Sequence, residues 1–511
     1  VPDLADAISK YNCSEKGKMC YYFGLFGNTK NEGGRKTIVM TRRNVIIIGS
    51  AGRDFHNFNV FFRNNKLYNV VGFTGSQQIP GISGKRYPPE LSGELYPEGI
   101  PVYAEEELPR LIKELNVDDC VFAYSDVSYQ HVMHIGAIVN AAGASYMMLG
   151  PKDSMLKSKR PVIAVCAVRT GSGKSQTSRR IIELLKKKGL KVIAIRHPMP
   201  YGELTKQRVQ RLAQLGDLKK HNCTIEEIEE YEPHLARGTT VYAGADYLAI
   251  LKAAEADPEG CDVIVWDGGN NDFPFFQPDL MVTVADPHRA GHEVSYYAGE
   301  INLRMADVVV VNKIDSAAPE NVRKVRESVA TVNPNATVVD AASVIRIDNP
   351  NLIKGKRVLV IEDGPTLTHG GMAYGAGTIA ARQGGAAEIV DPRPYAVESI
   401  AETFRKYPTT GPVLPAIGYS PHQLRHLETT INRVDCDAVM VATPIDLSRI
   451  IDIRKPNTRV SYELQEIGTP NLEDILAEFA RAHNLPQSRK NDRSQSATRT
   501  CHSTSPRKKR Q

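Results

Sequence analysis

The sequence predicts an α/β protein of three successive blocks, and three observations carry that expectation. Short β-branched runs lead into glycine-bearing turns at intervals along the 511 residues, as in Asn44-Val-Ile-Ile-Ile-Gly49 and Cys261-Asp-Val-Ile-Val-Trp-Asp-Gly268. Stretches with helical spacing, at 105–115, 176–188 and 421–433, lie between such runs. The chain is also too long for one ordinary core, so about three domains of roughly 100 to 200 residues each are expected.

Taken in order, residues 1–40 read as a poorly structured leader. The chain begins with Val1, and Met40 before Arg42-Arg-Asn-Val-Ile-Ile-Ile-Gly49 looks like a natural start. Residues 41–155 read as a Rossmann-like domain with strands near 44–48, 68–73 and 120–124. Its loop Gly49-Ser-Ala-Gly-Arg-Asp54 sits where doubly wound sheets bind ligands. That loop is either a tight turn or, through Arg53, Asp54 and His56, an anion site. Residues 156–350 form the central block, and residues 351–486 a C-terminal α/β domain with strands near 357–361, 388–390, 415–417, 438–441 and 458–462. Residues 487–511 read as a disordered basic tail.

Composition narrows the class. Hydrophobic residues make up 41% and charged residues 24%, as in globular proteins, and no uncharged apolar run reaches the length of a membrane span. Eight scattered cysteines without a C-x-x-C pair fit a reducing, cytoplasmic setting. The net charge of +6 is concentrated after Ser488, where eight basic residues face Asp492 alone. The folded part therefore carries no charge signal for nucleic acid, and none is expected as its partner.

The central block carries the chemistry. A strand at 162–165 leads into Arg169-Thr-Gly-Ser-Gly-Lys-Ser175, and a helix follows from Gln176. A glycine-rich turn entering a helix aims backbone N–H groups and the helix dipole at a polyphosphate. Thr170, Gly171, Ser172, Gly173, Lys174, Ser175 and Gln176 are thus expected to hold a nucleotide, with Lys174 on its phosphates and Ser175 on Mg2+. The strand ending at Asp267-Gly-Gly269 supplies a carboxylate to hold the same ion. Lys174, Asp267 and Arg169 are the candidate catalytic residues, and Ser175 and Asp267 the metal pair.

Farther on, the apolar strand Asp307-Val-Val-Val-Val-Asn312 delivers Asn312-Lys313-Ile-Asp315. In N-K-x-D the aspartate accepts hydrogen bonds from guanine, which favours GTP over ATP; Ala341-Ala-Ser343 could back the base. Loops at 196–202 and 286–293 end on the same sheet edge if the sheet is parallel, which makes Arg196, His197 and Arg289 candidates for an anionic substrate. His288, His292 and Glu293 have metal-ligand chemistry without a sharp spacing.

The phosphate loop lacks the usual first glycine, having Val168 there. It resembles the K-G-G-x-G-K-[ST] pattern of the MinD and metal-insertion GTPase class, with Arg169 at the extra basic position. In that class the residue can reach across a dimer, so the resemblance implies a possible homodimer. The loop, Arg196 to Gly202 and above all Glu362-Asp-Gly-Pro-Thr-Leu-Thr-His-Gly-Gly-Met-Ala-Tyr-Gly-Ala-Gly377, followed by Asp391-Pro-Arg-Pro-Tyr395, resemble cyclic 2,3-diphosphoglycerate synthetase and its related P-loop GTPases. The likeness implies nucleotide-driven phosphoryl transfer or ligation on a small anionic metabolite. The glycine-rich segment makes physical sense as an anion cradle, with Asp363, Gly364, Thr366, Thr368 and His369 in it and Arg393 as a charge partner. A regulatory or metal-insertion GTPase acting on a protein client is the alternative.

Overall fold

The computed structural model describes residues 27–32, 35–50, 52–75, 84–197, 203–269, 272–368, 371–418 and 420–486. Its centre is one 13-stranded sheet, which joins the second and third blocks without a break. Apolar β-branched runs such as Val308–Val311 and Val162–Ala167 are buried on both faces, as parallel strands covered by helices must be. From one edge the order is Gln210–Leu212, Thr240–Ala243, Val192–Arg196, Val263–Asp267, Val162–Ala167, Leu280–Ala285, Val308–Val311 and Thr337–Ile347. It continues through Asn457–Ile467, Ala438–Ala442, Arg357–Asp363 and Glu388–Ile389, with Leu414–Ala416 also paired to Arg357–Asp363.

The junction is Thr337–Ile347 against Asn457–Ile467, antiparallel from Asp340↔Ile467 to Ile347↔Val460. Each strand is 11 residues long and belongs to both halves. The last helix, Leu472–Ala482, returns to the central block. Its Leu472, Leu476 and Phe479 share a core with Ile181 and Leu185 of the helix Lys174–Lys187. Burying one such side chain contributes roughly 1.5–3 kcal/mol, enough to hold the chain's end onto the phosphate-loop helix.

The first block is a separate six-stranded sheet in the order Arg86–Tyr87, Ile100–Ala104, Tyr68–Gly75, Arg43–Ile48, Asp119–Phe122, Ser145–Met148. It is parallel except at Arg86–Tyr87. A two-residue antiparallel ladder, Val127–Ser128 with Tyr296–Tyr297, ties it to the central block. Residues expected to be a poorly structured leader include a strand pair, Gly27–Glu32 with Arg35–Met40; the β-branched run Thr37-Ile-Val39 suits that ladder. No helix among the described residues is long and apolar enough to cross a membrane. The tail at 487–511 lies outside the described residues.

Candidate active site

The strand Val162–Ala167 runs in the middle of the parallel sheet and ends at the loop that precedes helix Lys174–Lys187. Gly171 and Gly173 turn the chain with φ of +80° and +112°, conformations that favour glycine. A Cβ on Gly173 would also stand 2.1 Å from Asn312 Nδ2. Gly173 caps the helix without a side-chain bond, leaving the first N–H groups for a ligand.

The motif at 312–315 braces this loop. Asn312, fully buried, donates from Nδ2 to the Ser172 carbonyl at 2.9 Å. Lys313 donates from Nζ to the Gly171 carbonyl at 2.6 Å and pairs with Asp286 at 3.1 Å. Asp315 accepts from the Ser343 amide at 3.2 Å, and Ser343 Oγ bonds Gln176 Oε1 at 3.2 Å. The three segments expected around a base and its phosphates, the P-loop, 312–315 and Ser343, therefore meet. Arg289 joins them, 2.9 Å from Asp286 and 3.4 Å from Ser172 Oγ. Burial pushes the Asp286 carboxyl up, but Lys313 and Arg289 outweigh it and hold the pKa at about 2.

Asp267 lies behind the loop, fully buried and outside the cavity wall. Its Oδ1 accepts from Lys174 Nζ at 2.8 Å and Ser178 Oγ at 2.7 Å; its Oδ2 meets His234 Nε2 at 2.9 Å and Arg196 Nη1 at 2.6 Å. Burial alone would favour the neutral acid, yet Arg196 and Lys174 keep the carboxyl well below the usual range. Burial, helped by the charge of Arg196, lowers the Lys174 ammonium to about 8. Ser175 offers a hydroxyl at the cavity wall that could serve Mg2+, whereas Asp267, the other residue expected to hold the ion, is closed off from the cavity with both oxygens engaged.

Several expected substrate residues are placed elsewhere. Arg196 is spent on Asp267 and Glu230 inside the protein. His197 packs between Gly52 and Gly269 with Nε2 3.4 Å from Asp272 Oδ2, at the joint with the first block. Arg393 is held on the surface by Asp391. Gly364 is pressed against the Ala416 carbonyl, and Thr368 Oγ1 donates to Gly364 O. His369 lies outside the described residues. Arg169 is held within its own chain by Asp126 at 2.6 Å, His292 Nδ1 at 2.6 Å and the Tyr296 ring at 3.7 Å. His288, His292 and Glu293 do not converge on one point; the group with metal-ligand spacing among the described residues is Glu398, His422 and His426.

The glycine-rich segment is not a free anion cradle. The buried Glu362 carboxylate takes the amides of Gly375 (3.0 Å), Gly377 (3.0 Å) and Thr378 (2.7 Å), and the Thr378 hydroxyl as well. The protein's own carboxylate fills the place expected for a phosphate. Asp363 and Thr366 do line the cavity, and Thr366 donates to Asp363.

A single cavity joins these parts. It runs from Lys174 and Ser175 to Asp363, Thr366 and Tyr374 of the third block, and part of its wall is the helix Ile225–Leu235, which contributes Glu226, Glu229 and Glu230. Sequence reading passed over this helix, because a run with five glutamates looks like a solvated face. Its capping box at Thr224 and Glu227 was the available signal for the helix start.

The loop of the first block that was a candidate ligand site instead docks that block. Arg53 lies 3.9 Å from the Phe273 ring centre and 4.3 Å from that of Phe275, pairs with Asp272 at 3.3 Å and donates to the Phe273 carbonyl. His56 stacks on Phe275 at 4.0 Å.

Fold and loop together define a P-loop nucleotide-binding protein, and residues 162–340 match the CobW/HypB/UreG nucleotide-binding domain. The chain is 60% identical over 440 residues to the arginine synthetase ArcE of Thermococcus kodakarensis, covering 86% of this chain and 97% of the relative, and it belongs to that protein's family. It is also 26% identical over 273 residues to a cyclic 2,3-diphosphoglycerate synthetase of Thermococcus onnurineus, over 46% of this chain and 60% of that one. Among solved structures, the ATP complex of LpxK from Aquifex aeolicus overlaps 64% of this chain and 90% of its own at 14% identity and a TM-score of 0.39.

Proposed function

We propose that this chain is a nucleotide-dependent synthetase that makes arginine from a ureido precursor. The observation that carries the reading is the one cavity in which the P-loop lysine faces a wall of carboxylates. A phosphorylated acid would meet Glu226, Glu229, Glu230 and Asp363 there, so the anionic metabolite expected from the sequence is replaced by a neutral or cationic one. The relative at 60% identity is named for arginine synthesis, and arginine ends in a cation of that kind.

Making a guanidinium from a ureido group requires loss of its oxygen. In the proposed reaction that oxygen takes the γ-phosphoryl group and the nucleoside diphosphate leaves; an amine nitrogen then attacks the carbon and phosphate departs with the C–O electron pair. Lys174 and the loop amides hold the phosphates, while Asn312 and Lys313 keep the loop in shape. Mg2+ on Ser175 would neutralise phosphate charge.

The meeting of Asp315, Ser343 and Gln176 supports guanine as the base. Incubating the protein with citrulline, ammonium, Mg2+ and either GTP or ATP tests both parts. Arginine formed in step with nucleoside diphosphate is the expected result; nucleotide loss without arginine removes the synthetase reading. Equal or faster turnover with ATP, unaffected by Asp315→Ala, removes the guanine assignment.

A further inference from the structure

Helix Ile225–Leu235 places Glu226 and Glu229 three residues apart on the face that looks into the cavity. Glu226 is 2% exposed and Glu229 6% exposed. Glu229 Oε1 and Glu226 Oε2 have no hydrogen-bond partner, although buried carboxylate oxygens ordinarily find one. Glu226 Oε1 has a long contact from the Gly418 amide, at 3.4 Å, and the Thr224 side chain and the residue's own amide also support this carboxyl group without offsetting its burial.

The surroundings do not compensate. Glu230, the next acid along, is paired with Arg196, and Glu362 has its oxygens satisfied by the amides it collects. Asp363 has Thr366 as its donor. The charged neighbours that act on Glu229 are Asp363 and Glu226, both carboxylates, so burial and mutual repulsion drive its pKa well above the ordinary value. Burial likewise pushes Glu226 up to about 7. Tyr462 lines the same cavity, its pKa raised by burial and then by Asp363, with Glu229 and Glu362 adding to the rise and Arg179 opposing it.

We propose that Glu226 and Glu229, with Asp363 opposite, form the subsite for the nitrogen-rich cationic end of the ligand, a guanidinium in the product. This rests on the synthetase reading for the ligand's identity, but not for its charge. A planar cation carrying several N–H donors would satisfy the two orphaned oxygens at once, and a pair of acids that takes up a proton to escape its own repulsion when empty is ionised and paired by a positive occupant. The subsite would also explain a preference for the reacted end. A ureido group is neutral and cannot make the same charge-assisted bonds, so positive charge growing on the carbon during amine attack is stabilised where it develops. Glu226 and Glu229 are then specificity-determining residues for the reaction, set apart from Lys174 and its phosphates.

The test uses the full chain and two independent readouts. Methylguanidinium, which lacks the amino-acid end, is titrated calorimetrically into the wild type, Glu226→Gln and Glu229→Gln, and thermal melting is followed for each. The expected result is binding to the wild type, weakened at least tenfold in either variant, together with unchanged or higher melting temperatures, since each substitution removes an uncompensated acid. Equal binding by the variants, or no binding to the wild type, overturns the subsite. So does a melting temperature that falls in both variants alongside affinity, which would make these acids structural. Competition by Mg2+ alone with no methylguanidinium binding would reassign the carboxylates to a metal and equally overturn the proposal. Arginine formation is assayed separately, so its failure marks the synthetase reading and not the subsite.

Discussion

Lys174 gives its ammonium to Asp267 at 2.8 Å, so the lysine that serves the phosphates rests on a carboxylate behind its own loop. A triphosphate must draw it away. With its pKa at about 8, against the usual value near 10.5, the free lysine loses its proton as pH rises through 8, whereas the nucleotide complex needs the charged form. Binding therefore takes up a proton between pH 8 and about 10.5. Nucleotide affinity is expected to fall as pH climbs above 8, by up to about tenfold per unit. Calorimetry in two buffers of different ionisation enthalpy at pH 9 would reveal the uptake.

Glu362 offers a different kind of anchor. Glu362→Gln keeps the shape but replaces one acceptor oxygen with a donor facing amides that are themselves donors. The N-terminus of helix Ala376–Gln383 loses its charge-assisted bonds, at a cost of about 2 kcal/mol. Denaturant titration measures the loss, and hydrogen exchange should quicken first at Gly377 and Thr378.

The acids of helix Ile225–Leu235 carry a pH signature of their own. Glu226 is raised from 4.5 to about 7 in the folded chain. A raised folded pKa means stability that is fully present below 4.5 and lost as pH rises through 7, roughly 3 kcal/mol for a shift of this size. The ligand-free wild type should thus lose stability between pH 4.5 and 7 relative to Glu226→Gln, in which this slope disappears. Parallel denaturant curves across that window decide it.

Arg53 supports the joint between the first block and the rest. Arg53→Ala leaves Asp272 buried beside His197 without its guanidinium, and removes the stack on Phe273 and Phe275. A loss of about 3 kcal/mol is expected. Limited proteolysis should release a fragment ending near residue 155 before the P-loop block is cut. A single cooperative transition at unchanged denaturant concentration would contradict this.

What the sequence made legible was local. The strands around the P-loop and the pairing of a glycine turn with Asn312 and Asp315 depend on short runs whose residue types allow few conformations. The carboxylate wall was not legible, because nothing within Ile225–Leu235 reveals that Gly418, Asp363 and Tyr462 lie over it. The glycine segment misled for a related reason. Its amides were rightly seen as donors, but Glu362, 13 to 16 residues upstream, already accepts from them. Arg53 and His197 looked like ligands from a loop position alone, and only packing shows that they face each other's blocks.

The shared sheet has a mechanical consequence. Thr337–Ile347 and Asn457–Ile467 lock the half that carries Lys174, Glu226 and Glu229 to the half that carries Asp363 through eight residue pairs, so among the described residues the two halves are joined as one stiff beam. Such a beam cannot shut on its ligands by swinging two lobes together, as many two-substrate enzymes do. Any closing is left to the short loops along its rim, and the span from Lys174 across the cavity to Asp363 is set when the chain folds, a ruler cut once to a single length.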